Sequence, residues 1–266
     1  MCSVVEIEEF RERLAQAEFL LVGLGEEFDA ACELKDVQEF QRGRELLQNG
    51  GIHWLLPAWS EYCSRRLGKD ISLTLEKLAG MLEDKNYYIV SVSVNSVIAA
   101  VFGNSNRLVM PCGSVQMKQC ESACEGEMVP MSQGDMAVLE TLFQKLWTGS
   151  FSPEDVRGIG RCRQCGSPMV LNNVYAERYD EAGYLEDWQR YTKWLQRTLN
   201  HRLLLLELGV SMGFPSVVRM PFEKINAYNQ KAFLCRVNEK LWQLPADFLS
   251  KGVGISKNAI DWIDEL

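Results

Sequence analysis

The chain has 266 residues, 47% of them hydrophobic and 24% charged, a size and balance that support one large core without disulfide staples. A formal net charge of −8, with no basic run longer than Arg65-Arg66, argues against nucleic acid, which is held by clustered lysine and arginine. No apolar stretch reaches the roughly 20 residues of a membrane span, and the first residues are acidic where a signal peptide is basic, so the expectation is a cytoplasmic protein with reduced thiols and no membrane partner.

In chain order, Ser3 and Glu6 form an S-x-x-E capping box before a helix with Val5, Phe10, Leu14 and Ala17 at roughly helical spacing. Phe19-Leu20-Leu21-Val22, followed by Gly23-Leu24-Gly25, reads as a buried strand feeding a tight turn. From Glu26 to Glu83 the pattern is mostly helical, with Leu75, Leu78 and Leu82 on one face of the last helix. Tyr87 to Val94, rich in β-branched and aromatic residues, predicts a second strand, and Arg107 to Met110 a third.

Between Ser114 and about Asn173, cysteines, glycines and polar residues flank one amphipathic helix carrying Leu139, Leu142, Phe143 and Leu146. A long helix follows with Leu185, Trp188, Tyr191, Leu195 and Leu199 on one face, then an apolar strand from Leu203 to Leu208 that ends at Gly209. Val217-Val218 and Ala232 to Val237 are further strand candidates, and a helix near Asn258 to Ile263 closes the chain. Strands alternating with helices predict an α/β fold with a doubly wound, mostly parallel Rossmann-like sheet. Residues 1–113 and 174–266 would form it, with a small zinc-binding module inserted over 114–173.

The metal prediction rests on two cysteine pairs. Cys162-Arg163-Gln164-Cys165-Gly166 has the form of a zinc knuckle, in which two thiolates meet one ion and glycine lets the backbone bend. Cys120 and Cys124, spaced C-x-x-x-C, would complete a closed four-thiolate structural site with no position open for catalysis. The remaining cysteines, Cys2, Cys32, Cys63, Cys112 and Cys235, are scattered and read as packing residues. His53 and His201 are the only histidines and form no ligand-spaced pair.

Gly23-x-Gly25 after a buried strand is a candidate dinucleotide turn. Downstream stand Leu206-Glu207-Leu208-Gly209-Val210-Ser211, Arg219-Met220-Pro221-Phe222-Glu223 and Arg236-Val237-Asn238. With the four-cysteine insertion between them, these motifs resemble the sirtuins, and in particular the class M, macrodomain-linked sirtuins, over about Ala17 to Asn238. The resemblance implies NAD as cofactor, held by Gly23, Gly25, Gly209, Ser211 and Asn238. It also implies a reacting ribose lined by Ser93, Asn95 and Cys112, which align with the family's asparagine, aspartate and general base. The implied chemistry is ADP-ribosyl transfer or deacylation on a protein, for class M relatives a lipoyl-carrier protein.

Three departures touch that chemistry. Glu27, with Glu26 beside it, stands where the family has the serine of its first glycine turn. Ser93 and Asn95 remain polar, but the aspartate charge is gone. Cys112-Gly113 replaces the histidine or glutamine before glycine, and a thiol near its ordinary pKa is a poor base. The alternative is therefore a catalytically inactive pseudo-sirtuin that binds a nucleotide or a partner protein.

Overall fold

The computed structural model describes residues 4–124, 128–156 and 158–266. The expected Ser3–Glu6 capping box lies outside the described residues. Helix α1 (Val4–Gln16) sets Phe10 edge-on against Trp262, with ring centroids 4.8 Å apart. Strand β1 (Phe19–Leu24) is buried at every position from Leu20 onward, the mark of a central parallel strand covered on both faces. Helices α2 (Gln38–Asn49), α3 (Leu56–Arg66) and α4 (Ser72–Leu82) follow, and α4 buries Leu75, Leu78 and Leu82 as its spacing predicts. Strand β2 (Tyr87–Ser91) stops short of the expected Val94, because Asn95 caps helix α5 (Ser96–Phe102) by accepting the Val97 N–H at 3.0 Å. Strand β3 (Leu108–Val109) is brief.

The next segment carries β4 (Gly113–Cys120), β5 (Val129–Pro130), helix α6 (Gln133–Thr148) and β6 (Met169–Asn173). Then come α7 (Ala182–Gln196), β7 (Leu203–Leu208), α8 (Arg219–Tyr228), β8 (Ala232–Asn238), β9 (Gly252–Ser256) and α9 (Ala259–Glu265). Six strands form one parallel sheet in the order β3-β2-β1-β7-β8-β9. The order reverses between β1 and β7, and a crevice at the carboxyl ends of such strands is where open α/β sheets bind ligands. Strands β5, β4 and β6 form a separate antiparallel sheet.

Two cores flank the large sheet. One joins Phe10, Leu78, Ile89 and Trp262, and the other joins Trp59, Tyr62, Val90 and Leu205. The apolar face of α6 belongs to the second core: Phe143 lies 5.8 Å from Trp59 and 5.5 Å from Tyr62, ring centre to ring centre. Helix α6 thus packs on α2 and α3 rather than on its own small sheet.

Some expectations fail locally. Val217-Val218 is no strand but the turn into α8, and Val218 is fully buried against β1. On the long helix α7, Tyr191 is buried while Leu185 is exposed, and Leu199 beyond its end is exposed too.

Candidate dinucleotide crevice and metal centre

The four cysteines predicted as ligands converge. Their Sγ atoms all lie within 4.8 Å of one another, with Cys120 and Cys165 at 3.4 Å and Cys124 and Cys162 at 3.5 Å. Four sulfurs about 2.3 Å from one ion stand about 3.8 Å apart, so this donor set fits tetrahedral zinc with small adjustments. The knuckle has the backbone that its sequence requires. Gly166 sits at φ 76°, and its N–H donates back to the Cys162 carbonyl at 2.9 Å. Hydrogen bonds from the Ser167 hydroxyl and N–H hold the Cys165 thiol down to about 6. The N–H groups of Cys165 and Gln164 lower that of Cys162. Thiolates at neutral pH are what the metal needs.

The β1–β7 switch point, where open α/β sheets form their binding crevice, is occupied by Glu26 and Glu27, which form a 3-10 turn with Phe28 after β1. The Glu27 side chain crosses the ends of the neighbouring strands. Its Oε1 accepts the Glu239 N–H at 2.9 Å, just past β8, and its Oε2 accepts the Ala259 N–H at 2.7 Å. Glu26 Oε2 accepts the Ser211 N–H at 2.8 Å, just past β7, while its Oε1 is buried without a hydrogen-bond partner among the described residues. Burial pushes the Glu27 carboxyl up, against the pull of its two N–H donors.

The five residues expected to hold a cofactor lie in or just beyond β1, β7 and β8, and each is engaged by the chain itself. Gly23 lies inside β1 rather than in the turn, and a Cβ there would stand 2.3 Å from Val218 Cγ1, so its glycine serves packing against the start of α8. Gly25 abuts the Gly209 carbonyl. Gly209, at φ 63°, leaves the space that the Glu27 side chain fills, since a Cβ there would fall 2.5 Å from Glu27 Cβ. The Ser211 Oγ accepts the Gly213 N–H at 3.0 Å. Asn238 donates to the Val210 carbonyl at 3.1 Å and accepts from the N–H groups of Lys240 and Leu241.

The three residues expected at the reaction centre are likewise committed. Ser93 Oγ donates to Asp29 Oδ1 at 2.5 Å, and Asn95 donates to the Phe28 carbonyl at 2.9 Å while capping α5. Cys112 lies in the core beside this group. It is 2% exposed, and burial pushes its thiol up to about 12, with the negative charges of Glu26 and Asp29 adding to the effect. Burial of this kind favours the protonated thiol, and the side chain packs in the core.

Sequence reasoning missed Asp29, which no motif marks. Burial first, and then the charges of Glu26 and Glu61, raise its carboxyl to about 7, although the Ser93 hydroxyl pulls the other way. It lines a cavity of about 530 Å³ together with Arg44, His53, Glu61, Asn95 and Tyr175.

The sequence also gave no sign that three of the quoted motifs form one buried ion network. Glu207 on β7 pairs with Arg236 Nε at 2.8 Å and Arg219 Nη2 at 3.0 Å, and Arg236 pairs with Glu223 at 2.7 Å. Arg219 also donates to the carbonyls of Val210 and Leu241, tying the loops after β7 and β8 to the sheet beneath the crevice.

A doubly wound, parallel α/β sheet and a four-cysteine cluster whose donors fit a structural metal together define the class of this protein. The fold is that of the Sir2 sirtuins. It matches Sir2Tm bound to a propionylated peptide with a TM-score of 0.58 at 16% identity, over 98% of this chain and 96% of that one. It matches a Sir2–p53 peptide–NAD+ structure with a TM-score of 0.56 at 13% identity, over 97% and 96%. In sequence, the chain is 20% identical over 283 aligned residues to a protein ADP-ribosyltransferase of Staphylococcus aureus, covering 95% of this chain and 84% of the relative. It is 31% identical over 125 residues to a probable bifunctional ADP-ribose hydrolase/ADP-ribosyltransferase of Fusarium oxysporum, covering 45% of this chain and 20% of that protein. No family model matches. Among the described residues no helix is long and apolar enough to cross a membrane.

Proposed function

We propose that this is a sirtuin-type protein whose β1–β7 crevice takes the diphosphate of an NAD-type dinucleotide, and that it acts by NAD-linked ADP-ribosyl transfer or deacylation on a protein substrate. The observation that carries the reading is the convergence of the Ser211, Glu239 and Ala259 N–H groups on anionic oxygens at the sheet's switch point. The name of the Staphylococcus relative and the peptides bound in the Sir2 structures support a protein substrate. A lipoyl-carrier protein in the cytoplasm is the substrate that the class M resemblance suggests. The same donors now serve Glu26 and Glu27, so NAD fits only after these side chains move. Bound NAD would supply the ribosyl group, while Ser93 and Asn95 would border the ribose.

A second reading is favoured by two observations. Cys112 offers no base, and the donors of the crevice are already taken. On that reading the protein is a pseudo-sirtuin that binds a partner without turnover.

Thermal unfolding with NAD, with ADP-ribose and without ligand separates these readings. A ligand at 100 times its Kd stabilises by about 2.7 kcal/mol. A shift with either nucleotide, followed by nicotinamide release with a lipoyl-carrier protein, is the expected result for the enzyme. Binding without release supports the pseudo-sirtuin. The absence of any shift at millimolar nucleotide removes the dinucleotide reading.

A further inference from the structure

We infer that Glu26 and Glu27 are a built-in latch: an intramolecular anion mimic that holds the crevice closed and must be displaced before a diphosphate can bind. The inference rests on the dinucleotide reading above and adds its regulation. It is carried by how completely the two side chains occupy the ground. Three backbone donors contributed by three separate segments, at Ser211, Glu239 and Ala259, are each satisfied by a carboxylate oxygen at 2.7 to 2.9 Å. A backbone N–H makes one good hydrogen bond, so an incoming phosphate oxygen competes directly for the same donors.

The surroundings are cut to fit the latch. Gly209 and Gly213 lack the Cβ atoms that would stand 2.5 Å from Glu27 Cβ and 2.8 Å from Glu26 Oε1. The Glu27 N–H also donates to the Gly209 carbonyl at 3.1 Å, pinning the backbone from which the side chain departs. An adventitious surface carboxylate would be solvated; this one bridges the ends of two strands and the start of a helix.

The two halves are unequal. Glu27 spends both oxygens on N–H groups, whereas Glu26 has one oxygen on Ser211 and one buried and unpaired. An unpaired buried oxygen is costly, so Glu26 is the half that releases first and Glu27 the half that holds.

The test measures binding of inorganic pyrophosphate and of ADP-ribose to the full zinc-loaded chain by calorimetry. The wild type is compared with E26A, E27S and the double variant E26A/E27S. A charged hydrogen bond and the like-charge repulsion it removes together predict that the double variant binds each ligand about tenfold or more tighter, with E27S accounting for the larger share. ADP-ribose that binds wild type and double variant alike, with no gain for pyrophosphate, overturns the latch and leaves the dinucleotide reading intact. A gain for pyrophosphate without one for ADP-ribose supports the latch and removes the dinucleotide reading. No gain for either anion in a folded variant overturns the latch. If the double variant does not fold by circular dichroism, the isosteric pair E26Q/E27Q carries the same comparison, since it keeps the shape and removes the charge.

Discussion

Asp29 is the residue whose ionisation the fold resists most usefully for experiment. Its carboxyl rises from an ordinary 3.8 to about 7, chiefly through burial, with Glu26 and Glu61 facing it and Ser93 as its donor. A carboxyl whose folded value is raised favours the folded state while protonated. That contribution is full below 3.8 and is lost as pH rises through about 7. Glu61, also raised by burial, acts in the same direction. Asp29→Asn keeps the size and removes the charge, so it should be more stable than wild type at pH 8, on the order of 1–3 kcal/mol. The advantage should vanish near pH 4. Urea unfolding of both proteins at several pH values checks this, and two curves that stay parallel across the range would contradict the burial argument.

At the scale of elements, the apolar stripe of α6 is where that helix joins α2 and α3. Leu146 is fully buried in that joint, so Leu146→Ala should cost about 2–5 kcal/mol through lost burial and a residual cavity. Leu185→Ala and Leu199→Ala remove side chains that are 46% and 65% exposed, and each should change stability by less than about 0.5 kcal/mol. Denaturant midpoints distinguish the two outcomes, and equal losses at all three sites would refute the packing assigned to α6.

The same scale shows why some elements were legible in the sequence and others were not. Strands β1, β2, β7 and β8 announce themselves as mostly apolar runs because both faces of a parallel sheet are covered. Strand β9, Gly-Val-Gly-Ile-Ser, is an edge strand in which two glycines dilute the signal. Helix α8 is hidden by the β-branched pair before it and by Pro221, which is tolerated because the N–H groups of a first helical turn have no intrahelical partner anyway. The cysteine centre was readable because its ligand spacing is local in each pair. The meaning of Glu26 and Glu27 was not, because the partners of Glu27 lie 212 and 232 residues away and only the folded sheet brings them near. Asp29 was silent for the same reason: burial, not a motif, sets its chemistry.

For the whole molecule, the question is whether the metal centre and the crevice share one cooperative unit. The cysteines sit in a small apolar cluster of their own, where Cys120, Cys162 and Met169 are buried with Cys124 and Val129 against them. The two large cores reach their full extent on the faces of the six-stranded sheet, and α6 is anchored there rather than at the metal. Removing zinc leaves Cys162 and Cys165, whose thiols are held down by hydrogen bonds, facing each other among sulfurs within 4.8 Å, and like charges there repel. Chelation should therefore loosen the Cys120–Cys124 turn and the Cys162–Gly166 knuckle while β1, β7 and β8 stay folded. Hydrogen exchange reads this directly: the Cys162 and Gly166 amides should lose protection while those of Leu205 and Leu234 keep theirs. Thermal unfolding of the zinc-free chain should then keep a main transition from the sheet. Because Ser211, Glu239 and Ala259 are all carried by that sheet and its connections, the zinc-free E26A/E27S chain should still bind pyrophosphate. If chelation instead exchanges Leu205 and Gly166 together, the small module and the sheet fold as one unit, and the zinc supports the crevice from a distance.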